Sequence, residues 1–389
     1  MQQPQPIIPL SEPSLRGNEW TYLKECLDTN WVSYAGPFVD RFERELAAKV
    51  GAKHAVAAVS GTAALHICLL LAGVGHDDEV VMPAVTFVAP ANAVRYCGAW
   101  PALIDISPND WQLDVVQLER FLANGCERRG GRLINKATGR QVAALLPVHL
   151  LGGMCDVDRV AELATRYDLP LIEDAAECLG AAYKSRPIAA PCPAYRGPMR
   201  LVITSFNGNK IITTGGGGAI FTEDPGLAAH ARHLTTTAKA DKIEFFHDEV
   251  GYNYRLTNIA AALGVAQLEK LDEYVKIKRG IAARYAELLK NNPHIKAHPA
   301  PQHCRSTFWM YSVMLDRVAR PVIDSMMREG VMSRPIWIPI HKLPAFSDGA
   351  FQFNVTAAET LHRSGLSLPC SVEITEAQVG RVLNLLLEG

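Results

Sequence analysis

A chain of 389 residues with 48% hydrophobic and 20% charged side chains can bury a large core, divides naturally into two domains, and is too apolar to be disordered. Lys and Arg number 39 against 40 Asp and Glu, a formal net charge of -1, which removes the basic footprint of a nucleic-acid binder. Nine cysteines, with no CxxC pair, suit free thiols in a reducing cytoplasm and offer no zinc site.

The opening MQQPQPIIPL lacks the basic and apolar regions of a secretory leader. Apolar residues at Phe38, Val39, Phe42, Leu46 and Ala47 recur at helical spacing, predicting a helix over Phe38–Val50. His54–Val59 reads as a buried strand, and Ser60-Gly61-Thr62 as the turn into a helix ending near Leu71. The longest apolar stretch, Ala63 to Gly75, contains His66 and is shorter than the ~20 residues of a membrane helix, so no membrane partner is expected. Strands follow at Glu79–Met82, Ala102–Ile106, Val142–Val148, Leu169–Ile172 and Leu201–Thr204, with helical patterns such as Val157–Tyr167 between several of them. Asn124 to Arg140, rich in Gly and Arg, predicts an exposed hairpin or insertion. Alternation of this kind makes a mainly parallel α/β sheet covered by helices. From Thr257 to Leu289 the sequence is one long helix, followed by a strand at Trp309–Leu315 and helices near Pro321–Glu329 and Glu376–Leu387. We therefore expect a large domain over residues 1–250 and a smaller α+β domain over 251–389, with residues 1–30 able to pack on the latter.

Ligands of such sheets bind beyond the carboxyl ends of the strands. After the first strand, Ser60-Gly61-Thr62 offers free N–H groups and a hydroxyl to a phosphate, or simply caps a helix. After Leu169–Ile172 come Glu173 and Asp174; strand alternation sends one of them into the site, unless both only favour a helix dipole. After Leu201–Thr204 come Ser205, Lys210 and then Gly215 to Gly218. The lysine precedes the glycines, which excludes a P-loop, and no GxGxxG opens the first helix. A phosphate cradle, a buried acid and a lysine amine together are what pyridoxal 5'-phosphate requires. Phe87, after the strand ending at Met82, is available to stack on its ring or to pack in the core.

These segments resemble the DegT/DnrJ/EryC/StrS-type sugar-nucleotide aminotransferases of pyridoxal-phosphate fold type I. The resemblance rests on Gly36…Val39-Asp40-Arg41-Phe42-Glu43, Ser60 to Leu65, Glu173 to Glu177, Ser205 to Gly218 and Gly251 to Leu256. It implies a large domain with a seven-stranded sheet and assigns Lys210 to the Schiff base and Asp174 to the ring nitrogen. By the same resemblance Glu177 approaches the ring hydroxyl, Gly61, Thr62 and Ser205 hold the phosphate, and Phe87 stacks. Asn253 would reach the phosphate of a neighbouring subunit, implying a homodimer with shared sites.

A lysine rather than a histidine at 210 favours transamination over dehydration. The usual GEGG is replaced by Gly215 to Gly218, and this, with Asn135 to Arg140 and Ser333 to Trp337, resembles the bacillosamine and legionaminic-acid subgroup. That likeness implies L-glutamate as donor and UDP-2-acetamido-2,6-dideoxy-hexos-4-ulose as acceptor. Alternatives are a GDP- or dTDP-linked ketosugar of the perosamine type, or a non-catalytic cofactor-binding regulator. Anionic substrates call for cations, for which Arg255 and Arg334 are candidates, and His341 for the sugar; ion pairing and core packing are the competing roles.

Overall fold

In the computed structural model, which describes residues 6–241 and 243–388, the alternation of apolar runs and helices builds one sheet of eight strands. They are β1 (His54–Ala58), β2 (Glu79–Pro83), β3 (Trp100–Ile104), β4 (Val142–Leu145), β5 (Leu171–Asp174), β6 (Arg200–Ser205), β7 (Gly218–Thr222) and β8 (Phe351–Phe353). Their spatial order is β1-β7-β6-β5-β4-β2-β3-β8. Only β7 runs against its neighbours; the other pairs are parallel. Strands β2, β4, β5 and β7 are buried at every residue, which explains their unbroken apolar sequence where a half-solvated strand would alternate.

The sheet corrects one expectation. Seven strands come from residues 54–222, but an eighth, β8, returns from the C-terminal part of the chain to pair with β3. A division near residue 250 remains our proposal for the domain boundary, and β8 crosses it. Residues 1–5 of the opening segment lie outside the described residues. From Ile8 onward that segment lies on C-terminal elements: Ile8 bridges Val331, and Cys370 N–H donates to the Leu10 carbonyl at 2.9 Å.

Helix Pro37–Val50 starts on a first-turn proline and stops at Gly51, whose φ of 77° suits a glycine. Its buried stripe meets the long helix Asn258–Leu289, where the Phe42 ring rests on Gly264. A Cβ at Gly264 would lie 2.7 Å from that ring, so the helices approach this closely only through a glycine. Past the long helix a four-stranded antiparallel sheet forms, in the order Ile295–Lys296, Tyr311–Leu315, Gly365–Leu368, Arg334–Pro335. The expected hairpin is present as Cys126–Arg129 paired with Arg132–Asn135. No helix among the described residues is long and apolar enough to cross a membrane.

Candidate active site

Loops leaving the carboxyl ends of β1, β2, β5 and β6 converge on one cavity of about 420 Å³. Ser60, Gly61 and Thr62 enter it from β1, Phe87 from β2, Asp174 and Glu177 from β5, and Ser205 and Lys210 from β6. Two close approaches draw these loops together. A Cβ on Gly218 would lie 2.6 Å from the backbone of Ser60 and Gly61, and one on Gly61 would lie 3.0 Å from Ser205 Cβ. Ser60 Oγ accepts the Ala63 N–H at 3.0 Å and starts the helix. The capping role does not exclude the other, because the N–H groups of Gly61 and Thr62, in the first turn, find no carbonyl within the helix. They are available to an anion beside Ser205.

Strand alternation separates the two acids of β5. Asp174 lines the cavity, while Glu173 points the other way into a buried ion cluster, 3.0 Å from His149 Nε2 and 2.6 Å from Arg200 Nε. His149 Nδ1 accepts the Cys155 N–H at 3.3 Å, so its proton sits on Nε2 and is donated to Glu173. Burial pushes the Glu173 carboxyl up, but Arg200 and His149 outweigh it and hold it at about 2. Burial raises the Asp174 carboxyl above its usual range, against the Ala176 N–H at 2.9 Å and the Lys210 ammonium. A cationic ring nitrogen beside it would favour the ionised form.

Lys210 sits on the Asn207–Lys210 turn, closed by its N–H on the Asn207 carbonyl at 2.9 Å. Burial lowers its pKa, opposed by Glu177 and Asp174. Glu177 accepts the Leu151 N–H at 2.8 Å, and burial raises its carboxyl to about 7. Phe87 is 54% exposed on the cavity wall, too open for core packing. Amide donors at an anion cradle, a lysine and a buried carboxylate within one cavity fit pyridoxal phosphate.

The other expected residues divide. Arg334 lines the cavity, its Nη1 donating to the Ser333 carbonyl at 2.8 Å. Arg255 does not: it is 8% exposed and its guanidinium pairs with Glu43, because a buried charge is retained only with a partner. That corrects its expected place at the mouth. His341 is likewise outside the cavity, buried and 2.9 Å from Glu359. Asn253 is exposed and does not line this cavity, its backbone bridging Thr236.

Sequence reasoning missed the opposite wall, where Trp309, Met310 and Trp337 line the cavity with Leu10. The two indoles lie nearly parallel, 8° apart with centroids separated by 6.4 Å. The available signal was two tryptophans inside segments already named, Trp309–Leu315 and Ser333–Trp337. In the glycine run, a Cβ on Gly217 would meet Thr214 Oγ1 at 2.2 Å, whereas Gly216 has nothing nearer than the Val59 carbonyl at 3.9 Å. The departure from GEGG therefore leaves open space on the cavity wall.

The model of the DegT/DnrJ/EryC1/StrS aminotransferase family matches residues 13–387. The chain is 38% identical over 386 residues to a GDP-perosamine synthase of Caulobacter vibrioides, covering 97% of each chain. It is 34% identical over 383 residues to a GDP-perosamine synthase of Vibrio cholerae, covering 97% of this chain and 98% of that one. Among solved structures, S. venezuelae DesV superposes with a TM-score of 0.86 at 29% identity, covering 99% of this chain and 98% of that one.

Proposed function

The chain belongs to the DegT/DnrJ/EryC1/StrS aminotransferase family, and on that basis we propose that it moves an amino group from L-glutamate to C4 of a GDP-linked 4-keto-6-deoxyhexose. Pyridoxal phosphate dependence comes with the family. The nucleotide is supported by the printed activity of the Caulobacter and Vibrio relatives, both GDP-perosamine synthases. This favours the perosamine-type alternative over the UDP-acetamido sugar that the glycine run and the 135–140 segment suggested. The observation carrying the reading is one cavity that joins Lys210, Asp174 and the Ser60–Thr62 cradle.

In this reading Gly61, Thr62 and Ser205 hold the phosphate, Phe87 covers a ring face and Asp174 keeps the ring nitrogen protonated. Glu177 meets the ring hydroxyl. The cofactor supplies an electron sink for the pair left when a substrate C–H bond breaks. Lys210 would hold the cofactor through its amine and, once freed by the amino donor, would take the proton from the α-carbon of glutamate on Nζ. Burial lowers its pKa and so favours the neutral amine, the form that accepts a proton. In the second half-reaction the amino nitrogen would condense with the C4 carbonyl, whose oxygen leaves as water, and Lys210 Nζ would return a proton to C4. Arg334 offers a guanidinium fork to a carboxylate or diphosphate. Asn253, exposed and not part of its own cavity's lining, suits donation to the site of a second copy, which makes the working unit a homodimer. Incubating the purified protein with glutamate and a panel of GDP-, UDP- and dTDP-linked 4-ketosugars tests the reading by product mass. Conversion of the UDP-acetamido sugar alone would overturn the choice of nucleotide.

A further inference from the structure

The turn that carries Lys210 is gripped from outside the main sheet. The carbonyl of Asn209 accepts the Trp309 Nε1–H at 2.7 Å and the Ser11 hydroxyl at 3.2 Å. Trp309 is only 3% exposed, and its own carbonyl accepts Lys278 Nζ at 2.9 Å. Turning the indole away would leave a buried N–H unpaired, so the ring presents a fixed face. Lys210 Nζ lies over that face, 3.8 Å from the ring centroid. A desolvated ammonium in such a position is stabilised by the ring quadrupole.

We propose that Trp309 is a positioning residue: its indole face seats the free amine of Lys210 during proton transfer, while its N–H fixes the turn that delivers that amine. This rests on the transaminase reading. There the α C–H bond of glutamate breaks, its electron pair is drawn into the cofactor ring, and the proton goes to Lys210 Nζ. Between taking that proton and delivering it, Nζ is a buried cation set over the Trp309 face. Ser11 supports the same turn through its hydroxyl alone, so its contribution is to geometry and not to charge.

The test uses holoenzyme carrying Trp309→Phe, Trp309→Leu or Ser11→Ala, with cofactor attachment checked by absorbance and folding by melting temperature. Single-turnover reaction with glutamate and α-deuterated glutamate reports the proton step. Trp309→Leu is expected to slow it about thirtyfold, the equivalent of ~2 kcal/mol at 1.36 kcal/mol per tenfold, and to raise the isotope effect. Its rate profile against pH should also shift, because the ring no longer favours the ammonium. Trp309→Phe keeps an aromatic face and should restore most of the rate; Ser11→Ala should leave the isotope effect and the profile unchanged. A Trp309→Leu enzyme with wild-type rate, isotope effect and pH profile overturns the proposal, as does a Trp309→Phe enzyme equally impaired in all three. Should the leucine variant not fold, Trp309→Met is read in the same way. Failure of the wild-type protein to attach cofactor to Lys210 would refute the transaminase reading itself, a different result.

Discussion

Replacing Arg200 by methionine tests the physics beneath the site. Glu173 is 1% exposed and lies 2.6 Å from Arg200 Nε and 3.0 Å from His149 Nε2. Its carboxyl falls from an ordinary 4.5 to about 2, which at 1.36 kcal/mol per unit corresponds to ~3 kcal/mol of stabilisation. Removing one partner of a buried pair independently costs about 3–5 kcal/mol. Arg200→Met should therefore destabilise the protein by about 3–5 kcal/mol at neutral pH, read from urea titrations at fixed protein concentration. The pH dependence carries a sign. In the wild type the folded value lies below the unfolded one, so the contribution is complete above about 4.5 and is lost as pH falls through 2. Without Arg200, burial dominates and the folded value rises above the unfolded one, so the variant should regain stability as pH falls from about 7 towards 5. Adding Glu173→Gln to Arg200→Met should recover much of the loss, because no uncompensated charge remains. A single variant within 1 kcal/mol of wild type, or a double variant as unstable as the single, would refute the reasoning.

Three further outcomes follow from the site. Lys210→Ala should lose Schiff-base absorbance and turnover while keeping its melting transition, since it removes one cavity-lining amine whose burial is itself unfavourable; retained turnover would contradict its role. Glu177, raised to about 7, should withdraw up to ~3 kcal/mol of stability as pH rises from its unfolded value through its folded one. Cofactor-free Glu177→Gln should lack this loss in urea titrations between about pH 5 and 8, and parallel curves for the two proteins would argue against the shift. Gly218→Ala would press a Cβ to 2.6 Å from the Ser60 and Gly61 backbone; a loss of about 1–3 kcal/mol and weaker cofactor retention are expected, measured by melting and dialysis.

Local signals placed β1 to β6 and the long helix within a few residues, because each is a run or period that a short window contains. The three residues of β8, Phe351 to Phe353, carried no such run; only the partner strand identifies them. The cavity acids were legible as a pair, and alternation along β5 assigned one inward, but which one depended on His149 and Arg200 arriving behind Glu173. Arg255 shows the opposite failure. Its partner Glu43 is 212 residues away in sequence, and nothing local tells an ion-paired arginine from one awaiting an anion. Trp309 was read as the start of a strand, since its meeting with Asn209 spans 100 residues and depends on how the C-terminal sheet docks.

The margin of the main sheet at β3 is closed by β8, a segment made long after the strand it covers. A nascent chain that has emerged only through β7 holds seven strands, with the backbone groups of Trp100–Ile104 facing outward without a neighbour. Bare margins of this kind template strand addition between molecules. Protection against edge-to-edge aggregation therefore arrives only near the end of synthesis, and a truncation before residue 351 removes it altogether.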